Sequence, residues 1–269
     1  MKGKFTKVSF VLPTMILFTL FFFFPLILLA LKSFSGEGGF TPENYILIVT
    51  NKRYFQAMIN SLMLSTIVTV TSILIGAIIA FFLARTDFKG KNLFITLITF
   101  PVSLPGVVVG FMIIILFGTT GVIPMFTKMI TGEALGAIAY TITGIFFAYL
   151  YFSIPKTVMI LYGAVVEFDP RLEEAARTVG ANEQQAIFKV VIPTLAPVFV
   201  SAASIAFSTS MSAFGTAFTL ANQFEILPIL MYTEYTNYFN IEIASTMAIV
   251  VAVVSLVLNL FSRSLMEKG

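Results

Sequence analysis

The side chains that most often do chemistry in proteins are missing from this chain or kept to its loops. It has no cysteine and no histidine. Thiolate and imidazole metal sites, Cys nucleophiles, Ser-His-Asp triads and disulfides are therefore excluded. There is no G-x-x-x-x-G-K-[ST] phosphate loop, because Gly90-Lys91-Asn92 lacks both the preceding glycine and the hydroxyl. Any ATP used by this protein must bind to another chain. The one sizeable charged stretch runs from Glu167 to Lys189 and holds Asp169, Arg171, Glu173, Glu174, Arg177 and Glu183.

That stretch carries strong helix punctuation. Asp169 is a good N-cap, Pro170 suits the first helical position, and Glu173 and Glu174 sit early, where the helix dipole favours anions. Leu172, Ala175, Ala176 and Val179 recur at helical spacing and make one narrow apolar face. Gly180 fits the residue after a helix end. Asn182 with Gln185 opens a second helix in capping-box style, whose face is Ala186, Ile187, Val190 and Val191, with Pro193 before the next apolar run. The expectation is helix, glycine corner, helix, lying parallel to a membrane. The residues alone admit two uses for such a face: a groove on another protein, or the surface of the inner leaflet.

The rest of the chain must position this loop, and its composition is that of a membrane protein. Of 269 residues, 58% are hydrophobic and 11% charged, with mean hydropathy +0.98. Soluble domains carry about 25% charged residues, so a soluble enzyme, a disordered chain and a nucleic-acid binder are all disfavoured. The net charge of +3, with no basic run, is too small for tracking phosphates. A helix needs about 20 apolar residues to cross a bilayer. Runs of that kind fall at about 8–31, 61–84, 93–117, 137–163, 196–221 and 243–261, around a loop at 167–193. The first is too long for a signal peptide, and Lys32-Ser33-Phe34 is a poor cleavage site. The expected fold class is an all-α membrane protein with six transmembrane helices in a single domain.

Lysine and arginine placement orients the spans. With an internal N-terminus, the inner segments hold Lys2, Lys4, Lys7, Arg85, Lys89, Lys91, Arg171, Arg177, Lys189, Arg263 and Lys268, and the outer ones only Lys32, Lys52, Arg53 and Lys128. This excess places both termini in the cytoplasm. Lys156 is read as lying near the inner end of the fourth span, so no acid or base is expected centrally in any span. That argues against a proton-coupled carrier and against intramembrane catalysis.

Glu174-Ala175-Ala176, three residues, Gly180, nine residues, Val190, one residue, then Ile192-Pro193 resembles the E-A-A-x3-G-x9-I-x-L-P loop of binding-protein-dependent ABC importer permeases. Val190 and Ile192 stand as aliphatic variants. Asp169-Pro170, Pro197, Asn60-Ser61-Leu62, Gly76 and Leu83-Ala84-Arg85 are similar to the family too, and the resemblance covers about residues 55–265. It implies a type I importer permease of the MetI-like kind, located in a bacterial inner or plasma membrane. It also implies that this chain performs no chemistry and needs no cofactor, the hydrolysis being done elsewhere. The implied partners are two ATP-binding subunits, a second permease (the same chain or a sister) and an extracytoplasmic solute-binding protein, with membrane lipid around them and no nucleic acid. Within the loop, Glu174 would contact the ATPase and Gly180 would form the corner, with Ala175, Ala176, Ile192 and Pro193 as family positions. The competing class is an ATP-independent carrier or channel.

A solute path needs polar groups or freed backbone inside the bundle. Pro101 and Pro105 remove amide hydrogens from the third span, and Pro105-Gly106 marks a break there: either a packing kink or a gate. Ser201, Ser204, Ser208, Ser212, Gly215 and Thr219 form one small, polar face of the fifth span. That face suits close helix packing or a wetted path, and Ser208, Ser212, Phe214 and Thr216 are the path candidates. The outer loop carries Glu225, Glu234 and Glu242 among tyrosines, either as an acidic mouth for organic cations or as plain solvated loop. The compact six-span form, Pro105-Gly106 and Phe214-Gly215-Thr216 resemble the branch that serves polyamines, 2-aminoethylphosphonate or ferric iron. Among these, a polyamine such as spermidine or putrescine is the expected substrate.

Overall fold

A computed structural model describes residues 11–36, 38–221 and 224–266. Lys2, Lys4, Lys7 and Lys268 from the charge count, and positions 8–10 of the first expected span, lie outside the described residues. In chain order the elements are α1 Val11–Ser33, a small hairpin of β1 Ser35–Gly36 and β2 Gly39–Phe40, α2 Glu43–Thr50, α3 Lys52–Arg85, α4 Lys91–Thr99, α5 Gly106–Phe117, α6 Val122–Thr131, α7 Ile142–Glu167, α8 Pro170–Thr178, α9 Glu183–Met211, α10 Phe214–Leu220, α11 Leu227–Thr236 and α12 Ile241–Met266. Six stretches are long and apolar enough to cross a bilayer: α1, α3, the bent pair α5–α6, α7, α9 and α12.

Helix α3 shows why these sequences belong in lipid. Met63, Ile67, Val70, Leu74, Ile78 and Phe82 recur every three or four residues and are all exposed. The opposite stripe, Ser61, Ser65, Ser72, Gly76 and Ala80, is small and buried. Large apolar groups outside and small or hydroxylated groups inside is the arrangement of helices packing within a membrane, where close approach replaces the hydrophobic drive. At Gly76 an added Cβ would lie 2.8 Å from Thr157 Cγ2 of α7.

Two prolines are absorbed by the same device. In α1 the Phe24 N–H reaches back five residues to Thr19 O, just before Pro25. In α9 the Ile192 N–H does so to Ile187 O, just before Pro193. Widening one turn accommodates the missing proline donor without ending the helix.

Several span boundaries differ from the sequence reading. The second span begins at Lys52 rather than 61, because polar 52–60 continues the helix. The expected 93–117 span is two helices, with a tight turn over Phe100–Ser103 between them, and the expected loop after it holds α6. The fourth span starts at Ile142, where the Thr141 hydroxyl accepts from Gly144 N, and it runs to Glu167. The second helix of the charged loop is not a separate surface helix: it passes through the wide turn into the fifth span. That span then stops at Met211 instead of 221. The polar stretch before the last span holds α11.

By compactness the chain forms two units, Met1–Ala57 with Leu230–Val253, and Met58–Ile229 with Val254–Gly269. In the first, Asn44 Nδ2 donates to the carbonyls of Ser33 (3.0 Å) and Ser35 (2.8 Å), and Thr246 Oγ1 donates to Ser33 O at 3.1 Å. Glu234 is buried there, 3.6 Å from Arg53, so it is not part of an open acidic mouth. The core of the second unit gathers Leu64 and Val68 of α3, Val109 and Ile113 of α5, Ile145, Ala148, Tyr149 and Phe152 of α7, and Ala217 and Leu220 of α10.

Candidate functional site

The charged loop folds as its caps dictate. Asp169 accepts from Arg171 N at 3.0 Å and starts α8. At the far end, Gly180 has φ +93°, with Gly180 N donating to Arg177 O (3.0 Å) and Ala181 N to Ala176 O (3.1 Å). This pair of bonds is the glycine-terminated helix stop, and its left-handed residue is costly for any side chain. Asn182 Oδ1 accepts from Gln185 N (2.8 Å) while Gln185 Oε1 accepts from Asn182 N (3.0 Å), so both halves of the capping box form. The result is a capped elbow, α8–Gly180–α9.

What the elbow presents is apolar and exposed. Leu172 is 46% exposed, Val179 85% and Phe188 68%. Glu174, Ala175, Gly180 and Pro193 are exposed, while Ala176 and Ile192 are half-buried. The three apolar side chains Leu172, Val179 and Phe188 stand exposed in an otherwise charged loop, a surface that a partner or the membrane could cover.

Glu173 holds the elbow to the bundle. Its carboxylate accepts from Arg85 Nη1 (3.2 Å) and Nη2 (2.7 Å), at the last residue of α3, and from Arg177 Nη2 (2.9 Å) one turn along α8. Burial pushes this carboxyl up. The hydrogen bonds and charges of the two arginines outweigh that and hold it below its ordinary range. Sequence reading missed the pairing, because Glu173 and Arg85 are 88 residues apart and each had a local explanation.

The two broken spans meet one another. Tyr149 of α7 is buried and its hydroxyl donates to Ala213 O (2.9 Å), in the gap between α9 and α10. Thr216 of α10 donates to Gly106 O (3.0 Å), at the break that starts α5. Gly106 is needed there: an added Cβ would fall 2.8 Å from Thr216 Oγ1, and one at Gly110 would collide with Thr219 Oγ1. Backbone freed at membrane depth is thus satisfied by protein groups.

Two cavities open beside these breaks. One, of about 600 Å³, is lined by Thr96, Thr99, Val102, Ser103, Lys156 and Ile205 among others. The other, of about 320 Å³, is lined by Gly106, Phe152, Lys156, Thr209, Ser212 and Thr216 among others. Lys156 borders both. It stands 11 residues before the end of α7, which spans Ile142–Glu167, so it lies well inside the helix. The expected place of Lys156 near the inner end of the fourth span is corrected: it falls near the middle of the helix, because α7 starts at Ile142 and runs on past Pro155 to Glu167. The signal was available in the sequence, since Lys156 is the one charged residue between Glu133 and Glu167.

The path candidates divide. Ser212 and Thr216 line the smaller cavity. Ser208 accepts from Asn259 Nδ2 of α12 at 3.1 Å, and Ser204 donates to Leu258 O at 3.3 Å, so that part of the small polar face packs against the last helix. Pro101 lies in the tight turn and Pro105 precedes α5; their neighbours Val102, Leu104 and Gly106 line the smaller cavity. Phe214 opens α10 and packs on Phe218, ring centroids 5.3 Å apart.

Six candidate spans, breaks satisfied by protein groups and a capped loop with an exposed apolar face describe a helical membrane protein. Residues 72–268 match the binding-protein-dependent transport system inner membrane components, and the chain belongs to that family, the permease subunits of ABC importers. It is similar to the sulfate transport system permease protein CysT of Salmonella typhimurium, 29% identical over 82% of this chain and 79% of that one. It is similar also to the spermidine/putrescine transport system permease protein PotC of Escherichia coli, 27% identical over 90% and 88%. Its fold matches a chain of a bacterial ABC transporter involved in the import of alginate, with TM-score 0.83, 18% identity and coverage of 99% and 96%. The chain is a multi-pass inner-membrane protein.

Proposed function

We propose that the elbow α8–Gly180–α9 is the handle by which a cytoplasmic ATPase drives this permease. The observation that carries the reading is the exposed apolar set Leu172, Val179 and Phe188 on an elbow tied to α3 by Arg85–Glu173. Because α9 continues from the elbow into the fifth span, a push on the loop is transmitted along one helix. Rigid elements with two arrangements are what alternating access requires. Glu174, exposed beside the apolar set, is the polar contact to the ATPase, with Ala175, Ala176 and Gly180 giving close approach, and Ile192 and Pro193 leading into the span.

The working assembly has two ATP-binding subunits, a second permease and an extracytoplasmic solute-binding protein, with both termini of this chain in the cytoplasm. ATP hydrolysis belongs to the partners. The solute passes along the breaks at Pro101–Gly106 and Ser212–Thr216. This solute is a small charged species: a polyamine, the reading favoured by the sequence motifs, otherwise 2-aminoethylphosphonate, ferric iron or an oxyanion such as the sulfate of a relative.

The test uses the absence of native cysteine. A single Val179→Cys on the complete importer is expected to cross-link to the ATPase subunit, and Glu174→Arg or Gly180→Pro to stop ATP-dependent uptake with the protein still in the membrane. Normal uptake by both variants, or no cross-link, would sink the reading.

A further inference from the structure

Resting on the permease reading, the surroundings of Lys156 assign a substrate class: we propose that this chain passes a small oxyanion, and that the Lys156 ammonium group is its contact inside the membrane.

An ionisable group inside a span is costly and is retained where it serves a pathway. Lys156 meets that description on three counts. It lines both cavities and is the only charged side chain in either lining. The remaining polar side chains there are the hydroxyls of Thr96, Thr99, Ser103, Thr209, Ser212 and Thr216. No ion pair to it occurs among the described residues.

The nearer end of α7 is about 16 Å away along the axis at 1.5 Å per residue. Nζ lies 5.6 Å from the ring centroid of Phe152, one turn back along α7 in the ordinary direction of helical side chains, and at the smaller cavity. A cation over an aromatic face is attracted by the ring quadrupole, a contact that leaves room for an incoming anion. The smaller cavity also meets the start of α5, at Gly106 and Val107, where the helix dipole has the same positive sign.

A polycation would encounter the opposite conditions. With no carboxylate in either lining, it would approach an uncompensated like charge. An oxyanion instead supplies the ionic partner that Lys156 lacks among the described residues.

The experiment uses the native host, deleted for this chain and complemented with variants, all checked for equal abundance in the membrane. Uptake of radiolabelled sulfate, molybdate and spermidine is measured with and without ATP depletion. The expected result is ATP-dependent uptake of sulfate or molybdate that needs this chain, falls about tenfold or more in Lys156→Met, and stays near wild type in Lys156→Arg. Chain-dependent uptake of spermidine alone, no chain-dependent uptake of either oxyanion, or unchanged oxyanion uptake in Lys156→Met overturns the proposal. A parallel Gly180→Pro strain separates the two readings. If spermidine alone is taken up and Gly180→Pro stops it, the coupling reading stands and the oxyanion falls; if oxyanion uptake depends on Lys156 and not on Gly180, the reverse holds.

Discussion

Arg85 and Glu173 form a two-pronged bridge, Nη1 to Oε1 at 3.2 Å and Nη2 to Oε2 at 2.7 Å, between the last residue of α3 and the first turns of α8. It fixes the angle at which the elbow leaves the bundle. A planar guanidinium on a carboxylate resists rotation in a way that a lysine could not.

Its loss should therefore affect transport more than folding. Partly exposed pairs of this kind contribute about 0.2–1 kcal/mol. Arg85→Ala and Glu173→Gln are expected to reach the membrane at near-normal levels and to lower ATP-dependent uptake several-fold. The exchange Arg85→Glu with Glu173→Arg should recover part of it. Uptake and immunoblots of the three strains measure this, and additive losses in the exchange strain would mean that the bridge is incidental.

The bridge also sets a pH window. The Glu173 carboxyl is held below its ordinary range in the folded protein. Its stabilising contribution is therefore complete above the unfolded carboxyl value, near 4.3, and fades as pH falls through the lower folded value. The elbow should keep its anchor from neutral pH down to about 5 and lose it only in stronger acid. Labelling of a Val179→Cys probe against pH checks this; loosening between pH 7 and 6 would contradict it.

Gly180 separates backbone strain from side-chain contact. At φ +93°, alanine costs about 1–2 kcal/mol. Proline, fixed at a negative φ and lacking the N–H that bonds Arg177 O, should cost more. Gly180→Ala is expected to retain partial uptake and Gly180→Pro to lose it. Hydrogen exchange at residues 176–183 should rise in the same order.

The contact of the broken spans predicts a packing defect. A Cβ at Gly110 collides with Thr219 Oγ1, and overpacking of this kind costs about 1–3 kcal/mol. Gly110→Val should lower the detergent melting temperature of the purified importer. Thr216→Val, which removes only the bond to Gly106 O, should lower it less, since hydrogen bonds within membranes average about 0.6 kcal/mol. A larger drop for Thr216→Val would reverse this ranking of packing over hydrogen bonding.

What the sequence determined was local or compositional. Long apolar runs gave six spans, because a bilayer demands about 20 such residues whatever their neighbours. The Asp169 cap, the Asn182–Gln185 box and the Gly180 corner were legible because each is a bond among residues a few positions apart. Pro101 and Pro105 announced the third-span break, since a missing amide hydrogen is a property of the residue itself. What only tertiary structure decided was where helices continue and which groups meet. Pro193 could not reveal that a widened turn carries α9 through into the membrane, and no local signal ended the fifth span at Met211. The partners Arg85–Glu173, Thr216–Gly106 and Ser208–Asn259 are set by helices packed across the bundle, at separations of 51 to 110 residues. Lys156 makes the same point: the charge was visible in the sequence, but its place in the middle of α7 and between two cavities follows from how far that helix runs and what packs around it.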